Sequence, residues 1–214
     1  MAFACKNEKI EVAKRILDKT IVDILMGCDH DDRFYDEWKL FLTGKNNFRL
    51  DVATTAVYKG NRTAPKPLHL PLLREHMVKE WGAFVCNGYE ADDGIATEAT
   101  ALGDDCIMVS VDKDFDQVKG WHYNFIKRRH YYVTEDEGNK AFYMQMLMGD
   151  GADNIKGLHL VGKVRAAKML EECVSPKEMY DVCVEAYGSE ERVKENALLL
   201  WLRRHPDEMW EPPK

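Results

Sequence analysis

Apolar residues recur at three- and four-residue intervals near the start of the chain. Ile10, Ala13, Leu17, Ile21 and Ile24 share one face, with charges between them, which predicts an amphipathic helix closed by Gly27. Lys39-Leu40-Phe41-Leu42 has the pattern of a short strand, whereas Gly44 to Pro67 is polar, basic and irregular. Pro71 opens a second helix with Leu73, Met77 and Trp81 on its apolar face. Ala83-Phe84-Val85-Cys86 predicts another strand. Asp92 and Asp93 then open a helix with Ile95, Ala99 and Leu102 on one face, stopped at Gly103. Cys106 to Val111 is a near-continuous apolar run of the kind buried in parallel sheets. Tyr123–Ile126 and His130–Val133 predict short strands flanking Lys127-Arg128-Arg129, and from Lys140 onward the pattern is helical. The last two helices fall at Pro176–Tyr187 and Glu190–Arg204. Trp201 and Trp210 are expected to pack rather than to stack on bases.

Strand, helix and strand in this rhythm predict an α/β fold with a mostly parallel central sheet and helices on both faces. The expected division is an α/β core over 1–139 and a helical part over 140–214. With 214 residues, 45% of them apolar, the chain can bury a core. No apolar run approaches 18 residues, so a membrane span is not expected, and the N-terminus lacks the pattern of a signal peptide. Six cysteines are scattered without a C-x-x-C pair, so neither zinc nor a disulfide framework is expected and the compartment is cytoplasmic. Cys28 and His30 form one potential ligand pair without a second, and Cys86 and Cys106 are expected to be buried thiols.

A formal charge of −7 argues against nucleic acid. Seven acids in three short clusters account for all of it: Glu90, Asp92 and Asp93; Asp112 and Asp114; Asp150 and Asp153. The remaining surface is balanced and carries basic runs. Each cluster has a plain explanation of its own, namely an acidic helix start favoured by the helix dipole, a solvated turn after a strand, and an Asp/Gly/Asn loop. All three falling at the expected sheet edge is much harder to explain that way. Asp112 and Asp114 follow the carboxyl end of a strand, where open α/β sheets place their sites. Hard oxygen ligands in this number suit Mg²⁺ or Mn²⁺. Lys59 and Arg62, three residues apart beside Gly60, can stabilise charge on a phosphate, although taken alone a solvated basic loop explains them better. Asn154 to Lys168 is a glycine-flanked turn leading into a basic helix, whose backbone amides and lysines suit a phosphate. An ordinary helix–turn–helix corner has the same pattern.

In this order the pieces resemble the 5′-3′ exonuclease and flap endonuclease family, of bacteriophage type and similar to the 5′-nuclease domain of bacterial DNA polymerase I. The G-x-E-A-D-D motif contains Glu90, Asp92 and Asp93, S-x-D-x-D contains Asp112 and Asp114, and G-D-x-x-D-N-I contains Asp150, Asp153, Asn154 and Ile155. The basic Y-K-x-x-R motif matches Tyr58, Lys59 and Arg62, and the residues after Ile155 resemble a helix–three-turn–helix element. The likeness runs from about Lys39 to Leu170.

The resemblance implies a PIN-like fold and hydrolysis of DNA at 5′ ends, flaps or RNA–DNA hybrids by a monomer. It implies two Mg²⁺ or Mn²⁺ ions held by the seven acids, with Asp150 acting through water, and Lys59 and Arg62 neutralising the phosphate. Tyr58, Gly157, Gly162, Lys163, Arg165 and Lys168 are implied DNA contacts, with K⁺ at the turn. The sequence departs from the pattern in four places. The family's first strand and its metal-binding Asp are absent and are expected upstream of Met1. Leu42-Thr43-Gly44-Lys45 lacks a usual carboxylate, Leu160 replaces the middle glycine of the turn, and Arg62 to Tyr89 is short for a full arch. The alternatives are a catalytically impaired protein that binds branched DNA, and a PIN-like ribonuclease.

Overall fold

The computed structural model describes residues 8–214, so Cys5 lies outside the described residues. The first helix, α1 (Ile10–Leu25), buries Ala13, Leu17 and Ile21, as its periodicity predicts. It ends against Tyr123, whose hydroxyl would lie 2.2 Å from a side-chain carbon on Gly27. β1 (Phe41–Thr43) follows, then a short α2 (Arg49–Val52) inside the segment expected to be irregular. α3 (Leu70–Trp81) starts with Pro71 in its first turn and stops at Gly82, which takes a left-handed conformation.

β2 (Phe84–Cys86) leads into α4 (Ala91–Leu102), and β3 (Ile107–Val109) leads into a 3-10 turn at Lys113–Gln117. β4 (Gly120–Asn124) and β5 (Arg129–Val133) form a hairpin around the basic run. α5 (Glu135–Met148) begins five residues before the expected Lys140, because Thr134 and Glu137 form a reciprocal capping box. The two-residue strands β6 (Gly149–Asp150) and β7 (Ile155–Lys156) precede α6 (Lys163–Met169), α7 (Pro176–Tyr187) and α8 (Glu190–Leu200).

The class is α/β, with mixed small sheets and flanking helices rather than one mostly parallel sheet. β1 and β2 pair in parallel as a two-stranded sheet, β3 is parallel to β4, β4 is antiparallel to β5, and β6 pairs with β7. Among the described residues no strand lies between β1 and β3 to join the first two sheets. α4 packs on both and carries the connection through its small buried residues Gly94, Ala96 and Ala99.

The largest core lies under α5, α7 and α8 and includes Phe142, Met146, Leu147, Leu170 and Val193. Trp201 and Trp210 pack there, with ring centroids 5.0 and 6.1 Å from Phe142. Tyr58 joins this core from the basic loop. Smaller cores lie between α4 and β3 and between α1 and α3. Cys86 is buried as expected, while Cys106, just before β3, is only half-buried. Cys28 is buried with its thiol on the Ile24 carbonyl, so the Cys28–His30 pair is accounted for by packing. No helix among the described residues is long and apolar enough to cross a membrane.

Candidate active site

A cavity of about 520 Å³ opens where the carboxyl ends of β1 and β3 meet the turn after α5. Glu90, Asp92, Asp112, Asp114, Asp150 and Asp153 line it, together with Lys59, Arg62 and Lys113. Six of the seven acids singled out in sequence therefore converge. Asp92 stands in the first turn of α4. Asp112 caps the 3-10 turn, accepting from the Asp114 backbone N–H at 3.1 Å. Asp150 is held by backbone N–H groups of Ala152 and Asp153 on its Oδ1. The crossing at its base needs glycine on both sides: a side-chain carbon on Gly157 would come within 2.1 Å of the Met148 carbonyl, and one on Gly149 within 2.2 Å of the Gly157 nitrogen. Backbone packing thus requires Gly157 where the sequence suggested DNA contact.

Asp93 departs from expectation. It is fully buried and does not line the cavity. Both its oxygens face Arg49, with N–O distances of 2.6 and 2.8 Å, and also accept from the backbone N–H groups of Glu90 and Arg203. Its side chain caps α4 and anchors the tail after α8, leaving no lone pair for a metal. Tyr58 departs as well. It is buried, and its hydroxyl bridges Glu90 Oε2 (3.1 Å) and Asp153 Oδ2 (2.8 Å) rather than facing a ligand.

The basic motif is drawn into the acids. Lys59 Nζ lies 2.5 Å from Glu90 and 3.5 Å from Asp153, and Arg62 donates to Asp153 at 2.6 Å. The Lys59 N–H donates to the Asp153 carbonyl, and Asn61 and Asn154 staple the two loops together. Three further residues escaped the sequence reading. Asn47 donates to Glu90, Gln145 donates to Asp114 at 2.8 Å and to Asp150 at 3.4 Å, and Arg49 holds Asp93. Gln145 sits in the last turn of α5 and Arg49 opens the short α2 inside a polar stretch of sequence, so neither position carries a signal that pattern alone could detect.

The carboxylates are unequal. Asp92 is pushed up to about 6, first by burial and then by the charges of Glu90 and Asp112. Asp114 is raised by burial and by Asp112. Burial opposes charge on Asp93 and Asp150 too. Arg49 outweighs it for Asp93 and Lys113 for Asp150, with backbone N–H groups helping in both, so these two lie below the usual carboxylate range. Among the described residues no three acid, histidine or cysteine groups close around one point as a formed metal site. The donor set still fits a hard divalent ion. Six carboxylates share one cavity, and Asp92 lies close to the charges of Glu90 and Asp112.

Asp92 gives a pH dependence of definite sign. Between the ordinary carboxylate value and about 6 the folded chain holds a proton that the unfolded chain has released, so the Asp92 contribution to stability is lost as pH rises through that window. In EDTA, wild type is expected to lose melting temperature relative to Asp92→Asn between pH 4 and 6.5, and Mg²⁺ is expected to close the gap. A difference that does not change with pH would refute this assignment.

Away from the cavity, α6 exposes Lys163, Arg165 and Lys168 and follows directly on Gly162. Leu160 occupies the left-handed region in the preceding turn (φ 58°) with its side chain in solvent.

No family model matches the chain. It is 34% identical over 149 residues to DNA polymerase I of Rhizobium leguminosarum, covering 62% of this chain and 14% of the relative. It is 30% identical over 203 residues to DNA polymerase I of Bacillus subtilis, covering 82% and 23%. The chain thus spans less than a quarter of the length of these curated relatives. Among solved structures it resembles a bacteriophage T5 protein co-crystallised with metal ions, with a TM-score of 0.61, 21% identity, and 87% and 80% of the two chains covered. It also resembles a bacteriophage T5 flap endonuclease in complex with DNA and metal ions, with a TM-score of 0.58, 20% identity, and 92% and 80% covered. A mutant of the T5 5′-exonuclease aligns at a TM-score of 0.59 and 19% identity, over 93% and 83%. At these identities the structural likeness concerns the fold.

Proposed function

Related in sequence to bacterial DNA polymerase I and in fold to the bacteriophage T5 5′-exonuclease, this chain resembles the 5′-3′ exonuclease and flap endonuclease family, and on that premise we propose that it binds DNA at 5′ ends and branch points. The observation that carries this reading is the pairing inside the cavity: Lys59 and Arg62 line it together with the acids and are bonded to them. An incoming phosphate competes for those two cations, and the exposed cations of α6 suit the backbone of the adjoining duplex. With Asp93 committed to Arg49, and Glu90, Asp114, Asp150 and Asp153 tied to internal cations, the chain by itself is a DNA-binding protein with little or no cleavage.

A second reading, metal-dependent hydrolysis, is favoured by the six convergent carboxylates. Glu90 and Asp92 would hold one divalent ion, and Asp112, Asp114, Asp150 and Asp153 another. When bound, such ions supply an activated water and charge neutralisation at the leaving oxygen. The chain's own contribution is positional. Tyr58 and Asn47 fix Glu90, Gln145 fixes Asp114, and Lys59 and Arg62 orient the phosphate. RNA–DNA hybrids suit the same groove. The exposed cations of α6 favour a duplex over the single strand that a ribonuclease would thread.

End-labelled 5′-flap DNA, incubated with the purified chain in EDTA and in Mg²⁺, separates the two. Retardation in EDTA without product in Mg²⁺ supports binding. A Mg²⁺-dependent product that disappears in Asp112→Asn, which keeps the acceptor for the Asp114 N–H, establishes hydrolysis. Neither retardation nor product would remove the DNA assignment.

A further inference from the structure

Lys113 stands between two acids of the cavity, and no step of the proposed chemistry uses it. Its Nζ lies 3.0 Å from Asp150 Oδ2 and 3.2 Å from Asp114 Oδ1. It therefore bridges the 3-10 turn after β3 and the turn after α5. The same two oxygens accept from Gln145 on the opposite side, and the remaining Asp150 oxygen accepts from the backbone N–H groups of Ala152 and Asp153. One oxygen of each acid, at the point where both would meet a metal ion, is thus taken by an ammonium. A divalent ion bonds carboxylate oxygens at roughly 2.0–2.1 Å, so ion and ammonium cannot share this point.

The two lysines of the cavity differ in access. The Lys59 side chain is 24% exposed and enclosed by Glu90, Asp153 and the Tyr58 ring, 4.9 Å from Nζ to centroid. The Lys113 side chain is 69% exposed, while its partners Asp114 and Asp150 are 24% and 7% exposed. Lys113 therefore reaches in from solvent and has a way out, whereas Lys59 does not.

We propose that Lys113 is a tethered cation that holds the Asp114–Asp150 half of the cavity together and leaves it when a divalent ion enters, so that this side chain sets the metal concentration at which the site fills. The inference rests on reading the cavity as a divalent-cation site. Its consequence is a threshold. Below it the acids stay neutralised and ordered by the chain itself, and above it the lysine is released to the mouth, beside an approaching phosphate.

Two measurements test it, neither of them enzymatic. In the wild-type chain, peptide-resolved acetylation with a lysine reagent should modify Lys113 several-fold faster in Mg²⁺ than in EDTA, with Lys59 unchanged. By calorimetry, Lys113→Met should bind Mn²⁺ about tenfold more tightly than wild type, whereas Lys113→Arg, which keeps the bridge, should not. Metal-insensitive labelling of Lys113, or equal Mn²⁺ affinity in wild type and Lys113→Met, would overturn the proposal and leave the cation-site reading standing. Absence of any Mn²⁺ heat in wild type would remove both.

Discussion

Arg49→Met is expected to lower the stability of the chain by about 3–5 kcal/mol, the loss characteristic of stripping one partner from a buried ion pair. Arg49 is 1% exposed and its partner Asp93 is fully buried. The guanidinium meets both oxygens of Asp93, and also donates to the carbonyls of Leu199 and Trp201 at 2.9 and 2.7 Å. Methionine fills much of the volume but satisfies none of these acceptors. The carboxylate is left in low dielectric with only backbone N–H groups for company, and the carboxyl end of α8 loses its side-chain donor. Adding Asp93→Asn should recover part of the loss, because the amide keeps an acceptor for the Glu90 N–H and carries no charge. Urea unfolding measures this directly: the midpoint should fall with an unchanged slope. A loss below about 1 kcal/mol would show that the pair is not the anchor described, since exposed pairs contribute no more than that.

Removing the charges of Lys163, Arg165 and Lys168 together, each to Gln, is expected to weaken binding of flap duplex in EDTA by about 100-fold at low salt. The logarithmic salt dependence should also fall, by about 2.7, because each phosphate contact contributes a slope of roughly 0.9. All three side chains are exposed on α6, and the helix is anchored through the buried Ala166, so stability should hardly change. Fluorescence anisotropy across a salt series separates this from a local effect at the cavity. Unchanged affinity and slope would mean that the duplex lies elsewhere, and the α6 assignment would be withdrawn.

Much of the element pattern was legible in the sequence because its signals are local. The apolar stripe of α1, Pro176 after a serine cap, and the Gly103 stop act within a few residues of where they stand. The errors lie where a distant group decides. α2 forms inside a polar stretch, with Arg49 held in place by Asp93 and the end of α8, far away in sequence. β3 is shorter than its apolar run, and the predicted single sheet is divided, because pairing depends on which strands lie alongside and not on the run itself.

The site divides in the same way. Residue type and spacing identified the acids and the basic motif, and six of those acids reached one cavity because strand ends and helix starts place them there. Sequence alone could not separate Asp92 from Asp93. They are adjacent on α4, yet one faces the cavity and the other faces Arg49, a difference of about 100° around a helix that only the surrounding packing converts into different chemistry. Nor could it show that Lys59, Arg62 and Lys113 would stand between the acids. The sequence determined how much negative charge must be gathered at the end of the sheet. The tertiary structure decided which charges are cancelled and by which partners, because Coulomb energy depends on distances of a few ångströms between residues up to a hundred positions apart.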